Sequence, residues 1–261
     1  MVKNLVLIDK IYNVSKRKKK EDIFLRYLKY LREHVKGFPD TTLNIIKLRK
    51  FDNRFEVSIS GPEEVFVFNL LKNEIGSIKE FKELKEDDTC KGTLVDVGRV
   101  GFGLFVDCAI MNPHADVLIN LHKLREQLCK GRKKSLPEII EAFDFIDHFP
   151  IEAKIIKIDK ENHKLQGEIA PSSLNLFKKI MDENLQAIFL SGETKGQFKK
   201  AITKKGHFRD IITVKRFGFL ENLILLKQDT KAPGIISHIG KDLENCTFSV
   251  LQPKRIRKLY N

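Results

Sequence analysis

The sequence predicts an α+β multidomain chain built around a central five-stranded β-barrel, and three observations carry that expectation. Apolar residues switch repeatedly between helical spacing and strict alternation, the mark of helices and strands in mixed order. Two stretches, 91–107 and 151–165, lie about forty residues apart and read as the front and back halves of one small barrel. The charged stretch 79–88 sets the first of them off from an N-terminal region with its own β and α pattern. A chain of 261 residues is long for a single core, so the expected division is 1–82, 86–170 and 171–261.

In the first segment, residues 4–8 form a short apolar strand, followed by the basic run Lys16, Arg17, Lys18, Lys19 and Lys20. Ile23, Phe24, Tyr27, Leu28, Leu31 and Val35 recur at helical spacing over 21–36, and Gly37 and Pro39 end that helix. Leu43, Ile45, Ile46 and Leu48 suggest a strand, and Phe55, Val57 and Ile59 alternate as another. Gly61 and Pro62 then open a second helix with Val65, Phe68 and Leu71 inward. This β-α-β-β-α order resembles a ferredoxin-like plait or a truncated relative. That scaffold hosts many roles and names none.

Barrel strands are expected at 90–97, 101–108, 116–120, 151–158 and 163–169. The segment 121–149 is longer than a hairpin requires. It holds the basic loop Lys130, Gly131, Arg132, Lys133, Lys134, and a helix opened by Ser135 and Pro137, with Glu138 three residues on as in a capping box. Beyond 170 the expectation is a small α+β domain. Helical spacing runs through Leu174, Phe177, Ile180 and Met181, a short helix is expected at 197–205, and strands at 186–190, 210–219, 222–228 and 246–251. The run 229–240 reads as a glycine-proline turn leading into another apolar element.

The two barrel halves closely resemble the S1-type RNA-binding domain, an OB-fold, over 90–169. The carrying residues are Gly92, then Phe102, Gly103, Leu104, Phe105, Val106 and Asp107, and the later Lys154, Ile155, Ile158, Asp159 and Lys164. The resemblance implies that Phe102 and Phe105 present rings to RNA. Strand alternation allows only one of them outward unless a bulge at Gly103 intervenes. The family's usual histidine position on the third strand is Asn120 here, with His122 two places on, and Lys164 stands where arginine is usual. The first hairpin, 98–101, is about two residues longer than the common pattern. Lys154 completes the set of candidate contacts on the barrel itself. The whole arrangement, including the turn 229–236, is also similar to an archaeal family of uncharacterised proteins with a central S1-like domain. That similarity implies a cytoplasmic archaeal protein.

Net charge is +13, which favours a polyanionic partner. Lysine and arginine outnumber acids 19 to 12 in 1–85, fall short 12 to 15 in 86–170, and lead 17 to 8 in 171–261. The flanks are therefore expected to supply much of the charge that meets phosphate. Candidates are Arg132, Lys133 and Lys134 in the insert, Lys204, Lys205 and Arg209 beyond it, and the basic tail 254–258.

Other chemistries find little support. Cys90, Cys108, Cys129 and Cys246 show no C-x-x-C pair and no histidine at ligand spacing, so they read as reduced thiols rather than zinc ligands or a disulfide framework. The run 98–103 is glycine-rich but lacks the strand-to-helix context of a phosphate loop. Asp144, Asp147 and His148 read as a solvated helix end, and no nucleophile motif is present. No apolar run is long enough to span a bilayer, and 1–9 does not read as a signal peptide. The expectation is a non-enzymatic RNA-binding protein without cofactor or metal, in a ribosomal, RNA-processing or transcriptional setting. The alternative is a protein-interaction module within a ribosome or RNA polymerase assembly.

Overall fold

A computed structural model describes residues 2–12 and 20–260, in two compact units. Residues 16–19 of the N-terminal basic run lie outside the described residues. The first unit comprises 1–78 together with 218–220, and the second 79–217 together with 221–261.

The first unit has strand β1 (Val2–Lys10), helix α1 (Lys20–His34), the hairpin β2 (Thr42–Leu48) and β3 (Arg54–Ser60), and helix α2 (Glu64–Glu74). The sheet order is β1-β3-β2, antiparallel throughout, and beyond α2 a bridge from Leu7 to Ser77 extends the pairing. Alternation puts Leu5, Leu7, Leu43, Val57 and Ile59 on one face, buried with Tyr27 and Leu31 of α1 and Val67 and Leu71 of α2. Tyr27 stacks on Phe55 with ring centroids 3.9 Å apart, and its hydroxyl donates to the buried Asp9 at 3.1 Å. Arg54 is buried too, its guanidinium donating to the Ile8 carbonyl at 3.3 Å and lying 3.6 Å from Asp52.

The second unit opens with the short β4 (Lys79–Glu80), which pairs with β6. The barrel strands are β5 (Thr89–Val95), β6 (Gly103–Met111), β7 (Ala115–Asn120), β8 (Pro150–Asp159) and β9 (Lys164–Ile169). Their pairings run β6-β5-β8-β9-β7 and return to β6, so the five strands close into a barrel, with β7 and β9 parallel and the other neighbours antiparallel. This closure is OB-like. Leu94, Leu104, Val106, Val117, Ile119, Ile155 and Leu165 fill it by alternation. A side chain on Gly103 would collide with the Ile119 carbonyl, and one on Gly167 with Val117 and the Lys154 carbonyl. The glycines are thus needed where strands approach closely.

Two helices, not one, occupy the insert between β7 and β8: α3 (Leu121–Leu128) and α4 (Leu136–Phe143). The expected capping box is present at α4, where the Ser135 N–H donates to the Glu138 carboxylate at 2.7 Å and the Glu138 N–H donates to Ser135 Oγ at 3.4 Å. The Ser135 hydroxyl, which also donates to the Glu138 carboxylate at 2.7 Å, and then the Ser135 N–H hold that carboxyl below its ordinary range.

The remaining elements are α5 (Pro171–Asp182), β10 (Ala187–Ser191), α6 (Lys195–Lys204), β11 (Ile211–Arg216), β12 (Glu221–Leu226), α7 (Ala232–Ile239), β13 (Thr247–Leu251) and α8 (Pro253–Arg257). The antiparallel sheet has the order β11-β12-β10-β13. β10 and β12 are buried at every position, because each face is covered. Ile188, Leu190, Ile224 and Leu226 pack with Phe198 of α6 and Ile235 of α7. Ala187, Phe189, Leu223, Leu225 and Leu251 instead join the barrel's own core with Phe149 and Phe177. Residues 171–261, expected as a separate domain, therefore share a core with the barrel.

Three local expectations change. In the run 229–240 the apolar element expected after the turn is helix α7 and already includes the proline: Pro233 sits in its first turn, where its missing N–H costs nothing. α6 starts earlier than 197 because Thr194 and Gln197 form a second capping box. The basic tail is mostly the docked helix α8. Arg255 donates to the Val250 carbonyl at 3.0 Å, and Arg257 donates to Asn184 at 2.8 Å and to the Met181 carbonyl at 2.9 Å.

Lys79 Nζ on β4 lies 3.5 Å from Cys90 Sγ on β5. A hydrogen bond from the Cys108 thiol, helped by the Lys79 ammonium, lowers the Cys90 pKa to about 7 against the opposing effect of burial, while Cys108 is pushed up. The unfolded chain holds the Cys90 proton up to the ordinary thiol value of 9.0, so between about 7 and 9.0 the unfolded state binds more protons. This group's contribution therefore rises with pH across that window and is lost as pH falls through about 7. Urea denaturation at a series of pH values should show the rise in the wild type and a flatter profile in Cys90→Ser.

Candidate nucleic-acid interface

Phe102 lies in the bend before β6 and not on the strand. Strand alternation therefore does not separate it from Phe105, and the two rings meet edge to face with centroids 6.1 Å apart and planes at 87°. Phe102 is 55% exposed and Phe105 half-buried. The Leu121 N–H donates to the Phe102 carbonyl at 2.8 Å, so the exposed ring stands on an anchored backbone. The preceding loop is tied at its base by the Val97 N–H donating to Asp147 at 2.9 Å.

Cross-strand register builds the surroundings of this pair. Phe105 lies opposite Val95 on β5 and Leu118 on β7, and Leu118 lies opposite Gln166 on β9. All four are outward by alternation, giving a small apolar patch with a polar edge. Lys164 is exposed on the same face of β9, two residues before Gln166. The charge nearby is mixed. Arg99, exposed in the loop, pairs with Asp96 at 2.8 Å. Two positions along β6 from Phe105 sits Asp107, whose carboxylate approaches His114 and Asp116.

The other candidate residues have definite places. Asn120 caps α3, its side-chain oxygen accepting from the Lys123 N–H at 2.9 Å, and its neighbour His122 is exposed on the helix's first turn. Lys154 pairs with Asp87 at 2.7 Å, and that hydrogen bond raises its pKa. Arg132 and Lys133 are exposed between α3 and α4, whereas Lys134 is half-buried, with its carbonyl accepting from Arg125 at 2.6 Å. Lys204 and Lys205 both reach Asp242, at 2.7 and 3.5 Å, and Lys204 foremost holds the Asp242 carboxyl below its usual range. Arg209 is exposed beside the exposed ring of Phe208. The geometry thus brings Phe102 and Phe105 together, engages Asn120 in a helix cap, and commits Lys154, Lys204 and Lys205 to ion pairs.

One feature without a sequence signal is a cleft of about 780 Å³ whose lining includes Gln127, Lys130, Phe143, Phe177, Lys178 and Tyr260. Lys130 Nζ lies 4.5 Å from the Tyr260 ring centroid there. The residues come from 127 to 260, so only the folded chain assembles them. Among the described residues, no helix is long and apolar enough to cross a membrane.

Fold and site together define an α+β protein with an OB-like barrel that displays an aromatic pair on its outer wall. Residues 84–181 match the DUF2110 central domain and 186–251 the DUF2110 C-terminal domain, so the chain belongs to the DUF2110 family. No curated protein matches significantly. Among solved structures, the K3L protein from vaccinia virus is 15% identical, covering 33% of this chain and 89% of that chain at a TM-score of 0.23. A complex of a/eIF2alpha, aDim2p and rRNA from Pyrococcus horikoshii is 11% identical, covering 49% and 70% at 0.26. The intact alpha subunit of aIF2 from Pyrococcus abyssi is 10% identical, covering 65% and 98% at 0.24. Likeness at these TM-scores carries no weight for function.

Proposed function

We propose that the protein is a non-enzymatic RNA-binding protein whose S1-like barrel receives unpaired bases on Phe102 and Phe105. The observation that carries this reading is the edge-to-face pair itself, with an exposed ring held on an anchored backbone on the outer wall of the barrel. A ring face and a neighbouring ring edge give an unstacked base a platform and a wall. The half-buried Val95 and Leu118 and the exposed Gln166 extend the platform. Lys164, Arg132, Lys133 and Arg209 are exposed cations suited to phosphate contacts. A cytoplasmic setting in RNA processing, on the ribosome or in transcription fits such a protein.

Fluorescence anisotropy with a labelled single-stranded RNA at several salt concentrations tests this. The expected result is saturable binding whose affinity falls as salt rises, the signature of counterion release. Absence of saturable binding at moderate salt, or binding indifferent to salt, contradicts the reading.

The second reading, a protein-interaction module, draws on the acidity beside the same pair. Asp96 occupies Arg99, and Asp107 and Asp116 lie along the strands from Phe105. A partner retained from native extract after nuclease treatment, and lost in Phe102→Ala, would favour it.

A further inference from the structure

The hairpin β6–β7 gathers three metal-ligating side chains. Asp107 lies on β6, Asp116 on β7, and His114 in the connection between them. One donor atom of each lies within 4.8 Å of the others. Asp107 is buried, Asp116 half-buried and His114 exposed, so the group has a fixed floor and an open side. His114 Nε2 stands 3.8 Å from Asp116 Oδ1. The Asp107 carboxylate is oriented by the Ala109 N–H, which donates to Oδ1 at 3.0 Å. Orientation of a ligand by a neighbouring hydrogen bond is a recurrent property of metal sites.

The donor set is one imidazole nitrogen and two carboxylate oxygens. It suits zinc, manganese or ferrous iron, and lacks the thiolates that softer ions prefer. Two donors on one such ion, each at about 2.1 Å, stand at most about 4.2 Å apart. His114 Nε2 and Asp116 Oδ1, 3.8 Å apart, already meet that limit, and the exposed His114 imidazole has room to turn toward Asp107. Two carboxylates and one imidazole leave coordination positions open on the solvent side.

We propose that Asp107, His114 and Asp116 bind one divalent first-row transition ion, with water completing its coordination. The sequence offers no Cys or His pair at metal spacing, and the site exists only because the hairpin places positions 107 and 116 side by side. It adjoins Phe105 on β6, but it stands on the hairpin geometry and not on the RNA reading.

The test uses the full-length chain without a histidine tag, stripped with chelator, loaded separately with zinc chloride or manganese chloride, and passed through gel filtration. Retained metal is measured by elemental mass spectrometry. Manganese is the more telling probe, because the chain's thiols compete for zinc and bind manganese poorly. The expected result is one equivalent of at least one of the two ions in the wild type, falling to background in His114→Ala and in Asp116→Asn. Circular dichroism confirms that both variants remain folded. Retention of neither ion, or retention of the bound ion by either folded variant, overturns the proposal. Because no RNA enters the experiment, its failure is separate from failure of the RNA reading.

Discussion

Phe149→Ala will destabilise the barrel and the C-terminal sheet together, by about 3–5 kcal/mol. Phe149 is fully buried, and its ring lies 4.1 Å from that of Phe189 on β10, 5.1 Å from Phe145 and 6.2 Å from Phe177. Truncation leaves a cavity bordered by rings from the insert, α5 and the sheet, and rigid rings close poorly around a void. The check is urea denaturation followed at two places, by a fluorophore on the barrel and by another on β11. Both probes should report one transition, shifted equally by the substitution. A shift seen by the barrel probe alone would mean that 171–261 is energetically independent, and the shared core described above would be wrong.

Substitution of the aromatic pair is expected to have the largest effect on binding. Base–aromatic stacking contributes about 1–3 kcal/mol per base. Phe102→Ala should therefore weaken single-stranded RNA binding roughly ten-fold, and the Phe102→Ala, Phe105→Ala double variant further. The salt dependence should stay unchanged, because neither ring neutralises a phosphate. Replacing Lys164 should do the reverse, lowering affinity modestly and reducing the salt slope. Phe102 is exposed, so its loss should leave thermal stability near wild type. Equal affinity of wild type and double variant would remove the barrel face from the binding surface.

The sequence showed much of the scaffold because the scaffold follows local periodicity. Alternation at Leu104, Val106, Val117 and Ile119 marks the barrel interior, and Ser135 with Glu138 marks the start of α4. Local rules failed where a residue's neighbours in space decide its role. Asn120 stands where the S1-type pattern has a histidine, yet with Leu121, Leu124 and Leu128 it signals a capped two-turn helix. A helix that short leaves only a faint periodic trace. Phe102 and Phe105 were expected on opposite faces because both were placed on one strand, but β6 begins at Gly103. The near-continuous apolar runs of β10 and β12 read as strands without indicating that each face meets a different core. The cleft beside Tyr260 and the cluster of Asp107, His114 and Asp116 have no spacing rule that would reveal them, since strand pairing and helix docking assemble both.

The central claim is that RNA lies on the barrel wall at Phe102 and Phe105. Photocrosslinking of single-stranded RNA carrying 4-thiouridine, followed by peptide mass spectrometry, locates the contact directly. The expected result is adducts within 96–107, lost in the double phenylalanine variant and reduced at high salt. Adducts confined to peptides outside the barrel, or none at moderate salt, would contradict the account.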